Sequence, residues 1–261
     1  MQTAQTIIKN YRRKRAIVCV TVALLTLILT LGIRFISQRN VNQQRILDFT
    51  SHTVRALDNV LLSLENRRSV LQPLVGQPCP QAHLALRKQA AILQTVRSIA
   101  LINDGILYCS SIFGSRNVPV RDFLKELPAS TAKLILSSDQ WLLKGSPILI
   151  QWYPVSQDGE AGVIEIINID LIAKMILEPQ RPLINDVALT VGDRFLRYGQ
   201  RVSDSLTFDE EGSLFRQSST RNPFTITVSG PGPGELALKS LPAQLPLGLM
   251  LSLLLGYLDR K

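Results

Sequence analysis

Two uncharged apolar stretches near the ends of the chain constrain its fold more than any other feature. Residues 16–33 read AIVCVTVALLTLILTLGI and residues 241–258 read LPAQLPLGLMLSLLLGYL, and each stretch holds 18 residues without a charged side chain. A helix rises about 1.5 Å per residue, so each stretch would span roughly 27 Å, close to the hydrocarbon thickness of a bilayer. We therefore expect two transmembrane helices, at residues 16–36 and 241–258, in contact with the lipid bilayer.

Each stretch has an alternative interpretation. A cleaved signal peptide would also be apolar with a basic start, but the first stretch is longer than a usual signal core and no A-x-A-like site follows it in RFISQRNVNQQ. Pro242 and Pro246 make the first turns of the second stretch irregular, and a run of this length can also form a buried hydrophobic hairpin.

The basic residues predict the orientation of the chain. Residues 1–15 contain five lysines and arginines and no acidic residue, and the second stretch is followed by DRK at 259–261. Because lysine and arginine are disfavoured on the translocated side, both short ends should be cytoplasmic and residues 37–240 should form a periplasmic domain of a multi-pass inner-membrane protein. Much of the net charge of +9 then comes from the basic flank that sets the membrane orientation. No basic-aromatic motif indicates nucleic acid as a partner.

Two helices are predicted at the start of this domain. Apolar residues recur at steps of three and four among charged ones, which is typical of an amphipathic helix, at Ile46, Phe49, Thr53, Leu57, Val60, Leu61 and Leu64. Pro73, Pro78 and Pro80 interrupt this pattern. We expect a second helix with Pro80 in its first turn, with four side chains turned inward, namely Leu84, Ile92, Leu93 and Val96.

From residue 98 onward the sequence is typical of an antiparallel sheet. SIALI and ILYCSSIF flank Asn103-Asp104-Gly105, a hairpin signal, because glycine tolerates positive φ. Similar turn residues separate SPILIQWYPV from GVIEIINI and DVALTV from RFLRYG. SLFRQ and FTITVSG are further candidate strands. A short helix, DLIAKMILE, is predicted between the strand pairs, beginning at Asp170.

These elements predict an α/β (α+β) fold class. A long membrane-proximal helix, a second helix and an antiparallel sheet between two transmembrane helices resemble the architecture of Cache or PAS-like extracytoplasmic domains. This is a likeness of fold only.

The three cysteines lie in different environments. Cys19 falls in the first apolar stretch, whereas Cys79 and Cys109 fall in the exported domain, where disulfides persist. Cys79 precedes the second helix and Cys109 lies on the second strand of the first hairpin, so one bond could connect helix and sheet. In the chain-entropy treatment, such a bond would contribute roughly 3 to 4 kcal/mol of stability.

Cys109 also opens the run Cys109-Ser110-Ser111, and with it the chain resembles a known family. In order, the chain has a basic flank, a first span, a Pro-Cys-Pro cysteine at Cys79, the Cys109-Ser110-Ser111 motif and a second span. This set resembles the CSS-motif periplasmic sensor domain at the N-terminus of EAL-type cyclic di-GMP phosphodiesterases, across essentially the whole chain. The resemblance implies a redox-sensitive Cys79–Cys109 disulfide, whose state is relayed through the second span to a cytoplasmic phosphodiesterase domain.

The EAL domain of such proteins is not found in this sequence. No Glu-Ala-Leu triplet occurs, and the nearest string, ELAL at 235–238, is placed outside the cytoplasm by the expected topology. We expect no hydrolytic activity and no cofactor for this polypeptide by itself, and no catalytic residue is assigned.

Two further features bear on partners. Gly248, Ser252 and Gly256 recur every four residues, which predicts a face where a second transmembrane helix could pack to form a homodimer. The two histidines, His52 and His83, have no ligand-like spacing, so no metal site is predicted. A disulfide on the periplasmic side would have thiol-disulfide oxidoreductases as partners.

Two functional hypotheses remain open. In the first, oxidation of the cysteines holds helix and sheet together and reduction changes the packing that reaches the second span. In the second, the disulfide is only structural and the domain senses a small ligand. Ser110 and Ser111 could donate hydrogen bonds to a thiolate, or they could be ordinary strand residues.

Overall fold

The computed structural model describes residues 2–139, 144–177, 184–208, 213–232 and 250. The chain divides into two units, one formed by Met1–Arg45 with Pro231–Lys261 and the other by Ile46–Gly230. The predicted second span, residues 241–258, lies outside the described residues except for Met250.

Helix α1 covers Gln2–Glu65 and therefore belongs to both units. One helix of the described part of the chain is long and apolar enough to cross a membrane by length and composition; it lies within Val20–Leu74, and its most apolar window has a mean hydropathy of 2.1 with none of its residues buried. Exposed side chains such as Leu25 (68% exposed) and Ile28 (64%) lie in this window. This agrees with the first predicted span.

Three more helices belong to the second unit. They are α2 (Arg68–Leu71), α3 (Cys79–Ile92) and α4 (Ile169–Leu177), and short 3-10 helices occupy Gln72–Leu74 and Val120–Asp122. Helix α4 lies where the DLIAKMILE segment predicted it. The predicted inward face of the second helix is partly wrong, because Leu84 is 75% exposed and Ile92 51% exposed, while the buried residues of α3 are Cys79, Ala82 and Leu86.

The first sheet has six strands in the order β3-β2-β1-β6-β5-β4, all antiparallel. Its strands are β1 (Val96–Asn103), β2 (Ile106–Ser110), β3 (Gly114–Pro119), β4 (Lys133–Ser138), β5 (Pro147–Pro154) and β6 (Gly162–Ile167). The predicted hairpin joins β1 and β2 through Asp104 (φ 52°) and Gly105 (φ 69°), the positive dihedrals that a type I′ turn requires.

A second sheet has five strands in the order β10-β11-β7-β8-β9. They are β7 (Asp186–Val191), β8 (Arg194–Arg197), β9 (Val202–Ser203), β10 (Ser213–Ser218) and β11 (Phe224–Gly230). The sequence predicted the strands of one antiparallel sheet, but the structure has two. Helix α4 lies between β6, the last strand of the first sheet, and β7, which pairs with β8 and β11 instead.

The first sheet is covered on both faces. One core cluster combines helices α1, α3 and α4 with one face of the first sheet and with the second sheet, and it includes Leu61, Leu86, Leu149 and Val228. The other cluster lies on the opposite face, where the segment after β3 contributes Val120, Leu124 and Leu127 against Trp152 and Ile164. Below, we call these the helix face and the outer face of the first sheet.

Candidate functional site

A disulfide joins Cys79 and Cys109, with their Cα atoms 5.2 Å apart. Cys79 is the first residue of α3, and Cys109 lies in β2 between Leu101 of β1 and Ser115 of β3. The bond therefore connects the start of a helix to an inner strand of the sheet, as its position in the sequence suggested. Both residues are buried, with 6% of Cys79 and none of Cys109 exposed.

Prolines define the start of α3 at Cys79. Pro78 has extended dihedrals (φ −54°, ψ 134°), so it stays outside the helix, and Pro80 lies in the first turn, where no amide donor is required. The carbonyl oxygen of Pro78 accepts hydrogen bonds from the amides of Gln81 (2.9 Å) and Ala82 (3.2 Å). The Pro-Cys-Pro sequence thus fixes the direction in which the Cys79 side chain leaves the helix.

A bulge at Tyr108 turns Cys109 toward this helix. The pairing of β1 and β2 shifts between Leu101, which faces Cys109, and Ile102, which faces Leu107, so Tyr108 is an extra residue in β2. In a regular strand, residues 107 and 109 would share a face. Instead Leu107 lies on the outer face and Cys109 on the helix face.

The Tyr108 side chain forms hydrogen bonds with the segment that precedes Cys79, which the disulfide also fixes. Its hydroxyl accepts a hydrogen bond from the amide of Gly76 (2.9 Å) and donates one to the carbonyl oxygen of Leu74 (3.2 Å). Burial raises the pKa of this phenol, so the hydroxyl keeps its proton. Two consecutive residues of β2 therefore fix the segment from Leu74 to Cys79, one by hydrogen bonds and one by a covalent bond.

The hydroxyl groups of the two motif serines accept hydrogen bonds from backbone amides. The Ser111 hydroxyl accepts a hydrogen bond from the amide of Ile99 (3.0 Å), and the Ser111 amide donates to the Ile99 carbonyl oxygen (2.8 Å). The Ser110 hydroxyl accepts from the amide of Ile112 (3.3 Å). Neither hydroxyl bonds to a sulfur atom, so for these described residues the geometry favours the strand-residue interpretation over thiolate activation.

The helix face also buries a carboxyl group that the sequence analysis did not identify. Glu165 of β6 is fully buried, and both of its carboxylate oxygens lack a hydrogen-bond partner among the described residues. Its cross-strand neighbour Gln151 and the nearby Tyr153 hydroxyl also have unpaired oxygens. Desolvation raises the pKa of Glu165 to about 8, opposed by the positive charge of Arg67.

The remaining predicted residues are placed as follows. Gly248, Ser252 and Gly256, proposed as a dimerisation face, lie outside the described residues, and so does the side chain of Cys19. His52 and His83 lie on different helices, α1 and α3.

Comparison with solved structures defines the class of this fold. The chain resembles a domain of a sensory box/GGDEF family protein from Vibrio parahaemolyticus, with a TM-score of 0.54, 12% sequence identity and coverage of 77% of this chain and 99% of that one. The two chains therefore share a fold, which in this chain is an α+β fold with a long N-terminal helix and two antiparallel sheets.

The chain belongs to the family of CSS motif domains associated with EAL, whose model matches residues 42–240. It is 58% identical over 258 residues to the probable cyclic di-GMP phosphodiesterase PdeD of Escherichia coli K12, covering 99% of this chain and 48% of that protein. It is 22% identical over 188 residues to the probable cyclic di-GMP phosphodiesterase PdeN of the same organism, covering 72% and 36%. The chain thus spans about half the length, or less, of these curated relatives. The family expected from the sequence is confirmed.

Proposed function

We propose that this chain is the membrane-anchored sensor part of a cyclic di-GMP phosphodiesterase system, and that the Cys79–Cys109 bond reports the redox state of the periplasm. Family membership and the names of its relatives support the link to cyclic di-GMP. The observation that carries the redox role is the position of the disulfide, which cross-links the first residue of α3 to strand β2 of the first sheet.

Reduction of this bond is a two-electron exchange with a dithiol partner. A thiolate of a periplasmic oxidoreductase attacks one sulfur, forms a mixed disulfide and releases the other cysteine as a thiolate, which takes up a proton. The second thiol of the partner then displaces the remaining cysteine, so the partner leaves oxidised and both Cys79 and Cys109 leave reduced.

Burial sets the rate of this exchange. Because Cys109 has no exposed surface and Cys79 only 6%, an attacking thiolate reaches neither sulfur in the closed structure. The segment from Leu74 to Cys79 must first open locally, and its stability against opening then limits reduction. A periplasmic sensor of this kind resists brief exposure to thiols and responds to sustained reducing conditions.

The two ends of the sensor unit lie together, which gives a route for output. The unit begins at Ile46 of α1 and ends at Gly230 of β11. Gly230 has no side chain, and a Cβ atom placed there would overlap the Ile46 side chain. A change in packing at α1 therefore acts on both points where the chain enters and leaves the unit.

The proposed topology places residues 1–15 and 259–261 in the cytoplasm, and residues 16–36 and 241–258 across the bacterial inner membrane. Gly248, Ser252 and Gly256 then form a homodimer face on the second span. Through this span, the state of the periplasmic domain would reach a phosphodiesterase domain like those named in the relatives.

An alkylation-shift experiment tests the redox role. Membranes from cells grown under oxidising and mildly reducing conditions are quenched with acid, dissolved in denaturing detergent and treated with a bulky maleimide, so that burial does not protect a free thiol. A Cys19→Ser background leaves only Cys79 and Cys109 to react. We expect no shift in the first membranes and a two-site shift in the second. Cys79→Ser in the same background is the control and should give a one-site shift in both.

Two results would contradict the proposal. If both cysteines stay protected under reducing conditions that label the control, the bond is a structural element and not a switch. If both are labelled under oxidising conditions, the disulfide does not form in the cell and the periplasmic placement of residues 37–240 is wrong.

A further inference from the structure

A buried carboxyl group lies on the helix face of the first sheet, near the chain that joins α1 to α3. We call residues 66–78 the connector; it contains α2 and the 3-10 helix Gln72–Leu74. Glu165 of β6 is fully buried on this face, and neither of its carboxylate oxygens has a hydrogen-bond partner among the described residues. A charged carboxylate without a partner is strongly disfavoured in such a place.

Arg68 connects the connector to the strand beside Glu165. Its Nη2 atom donates a hydrogen bond to the Pro154 carbonyl oxygen at 3.4 Å, and its guanidinium carbon lies 5.5 Å from the centre of the Tyr153 ring. Tyr153 lies two residues after Gln151, the cross-strand partner of Glu165, so these three side chains share the helix face. The Arg68 Nε, Gln151 Oε1 and Tyr153 hydroxyl atoms are also buried without partners in the part of the chain that the structure describes. The connector therefore covers a polar patch whose hydrogen bonds are incomplete.

The charges that act on this patch come from the end of α1 and from the connector. Glu65 carries a negative charge, and Arg67 and Arg68 carry positive charges. Among the described residues neither guanidinium group bonds to Glu165, and the Arg67 Nη1 atom donates instead to the Gln89 Oε1 atom of α3 at 2.9 Å. Two positive charges make a metal cation an unsuitable partner for this carboxylate, so a proton is the group that neutralises it.

The other elements packed around Glu165 bring no buried charge to it within the described structure. Burial raises the pKa of the Tyr153 phenol, which therefore stays neutral. On the other side of β6, the residue that pairs with Glu165 is the apolar Ile99 of β1. The basic residues of α3, Arg87 and Lys88, are exposed. The access of water, together with the charges of α1 and the connector, thus decides whether this carboxyl group ionises.

Opening of the connector changes the protonation of Glu165. In the closed structure desolvation raises the pKa of its carboxyl group to about 8, while the charge of Arg67 opposes this rise. Opening admits water, and the pKa returns towards its ordinary value of 4.5. Between these two values the closed form holds a proton that the open form gives to the solvent, so opening becomes more favourable as pH rises.

The connector should open as a unit, because its helices are too short to be stable without the sheet. Helix α2 has four residues, and Leu71 holds it in the helix-face core. The connector continues directly into Cys79, and its second half is bound to Tyr108 through Leu74 and Gly76. Local opening of this run exposes the polar patch at its start and the disulfide at its end.

We propose that the proton on Glu165 keeps the connector closed. While the carboxyl group is protonated the connector shields the Cys79–Cys109 bond, and when the proton leaves for the solvent the connector opens and admits a thiol to the bond. The disulfide is then reduced faster in alkaline than in acidic surroundings, by more than the ionisation of the attacking thiol accounts for. As a regulation of redox sensing this rests on the function proposed above, whereas the proton-dependent opening itself does not.

The rate of disulfide reduction tests this proposal in the 261-residue chain, in lipid nanodiscs and in a Cys19→Ser background. Dithiothreitol reduces the bond, leaving as its cyclic disulfide while both cysteines leave as thiols. At each pH the rate of the chain with Glu165 is divided by the rate of Glu165→Gln, so that the ionisation of the reductant cancels. We expect this ratio to rise at least about tenfold between about pH 6 and 7.5 and to level off above about pH 8.

Two further variants serve as references. Glu165→Met is a second side chain that cannot ionise, and it should give the same ratio profile as Glu165→Gln, which keeps the test open if one of the two variants does not fold. Glu160→Gln makes the same chemical change at a carboxyl group that is 40% exposed, in a surface pair with Arg121. The rates of Glu160→Gln should follow those of the parent chain at every pH.

Hydrogen exchange measures the opening without reference to the sulfur chemistry. With the disulfide intact, the amides of residues 66–78 should exchange faster in the parent chain than in Glu165→Gln, by a ratio that rises with pH in the same interval. If this ratio rises while the cysteines in cells stay oxidised under all conditions, the opening stands and the redox role fails. The two proposals are thereby tested separately.

Three results would overturn the inference. A reduction ratio that stays within about twofold from about pH 6 to 9 would mean that opening releases no proton from Glu165. A rising reduction ratio without any change in hydrogen exchange would mean that Glu165 acts on the disulfide by a route other than the connector. A rising exchange ratio with a flat reduction ratio would mean that the connector does not shield the bond.

Discussion

The hydroxyl oxygen of Tyr108 lies 2.9 Å from the amide nitrogen of Gly76, three residues before the disulfide cysteine of the same segment. Gly76 has a φ of 88°, a conformation that favours glycine, so the loop is shaped to present this amide. Cys109, the residue after Tyr108 in β2, is bonded covalently to Cys79. The segment before α3 is therefore fixed at two points by one strand, and only one of the two depends on redox conditions.

This arrangement predicts that Tyr108→Phe accelerates reduction of the disulfide. Losing two hydrogen bonds should lower the free energy of local opening by about 1 to 2 kcal/mol, which corresponds to reduction about five- to thirtyfold faster. The rate is measured by quenching a dithiothreitol reaction with a bulky maleimide in the Cys19→Ser background. Tyr153→Phe is the control, because the Tyr153 hydroxyl has no hydrogen-bond partner among the described residues and its loss should not change the rate. Equal rates for both variants would show that this hydroxyl does not limit opening.

The disulfide itself should account for a substantial part of the stability of the unit. The cysteines are 30 residues apart, and closing such a loop in the unfolded chain is expected to contribute about 3 to 4 kcal/mol. Replacing both with Ala should lower the free energy of unfolding by that amount in urea titrations followed by the fluorescence of buried Trp152. Under reducing conditions, the wild type and the double variant should unfold at nearly the same urea concentration. A large remaining difference would mean that the two side chains contribute mainly through packing.

The serines of the motif should differ in their effect. Ser111→Ala leaves the buried amide of Ile99 without its acceptor and should cost about 1 to 3 kcal/mol of stability, whereas Ser110→Ala loses a longer bond to the Ile112 amide and should cost less. Neither change should alter the pH dependence of alkylation of reduced Cys109, because neither hydroxyl bonds to a sulfur. A marked shift of that profile in either variant would restore the thiolate-activating interpretation.

Much of this fold could be predicted from local sequence signals, and the missing parts have a common cause. The Asn103-Asp104-Gly105 turn, eight of the eleven described strands and helix α4 follow from turn chemistry and from hydrophobic periodicity, whereas β3, β4 and β9 were not predicted. The bulges at Arg97 and Tyr108 could not be predicted, because an extra residue becomes visible only when two strands are paired. Glu165 was missed for a related reason: in GVIEIINI its position suggests a solvent-facing side chain, but helices cover that face of the sheet.

The second apolar stretch predicts a helix dimer that a membrane association reporter can test. If Gly248, Ser252 and Gly256 lie at a helix interface, Gly256→Ile should prevent close approach of the two backbones and reduce self-association at least about fivefold. Leu255→Ile is the matched control, since it adds no bulk and would lie on a neighbouring face of the predicted helix. Unchanged association of Gly256→Ile would exclude this face as the contact.

Glu165 should make the stability of the domain depend on pH. Its pKa is raised from 4.5 to about 8 by desolvation, so between these values the folded state holds a proton that the unfolded state releases. The free energy of unfolding therefore falls as pH rises through this interval, and the full cost, on the order of 4 to 5 kcal/mol, is present above pH 8. The positive charge of Arg67 opposes this rise in the pKa of Glu165.

Glu165→Gln keeps the shape of the protonated carboxyl but cannot ionise, so its stability should stay nearly constant between pH 5 and 8 and exceed that of the wild type at the upper end. Urea titrations at several pH values measure this difference. Glu160→Gln is the control, because the Glu160 side chain is 40% exposed in a surface pair with Arg121, and it should follow the wild-type profile. A wild-type profile that is already flat would mean that Glu165 finds a partner, such as bound water, that stabilises its charge.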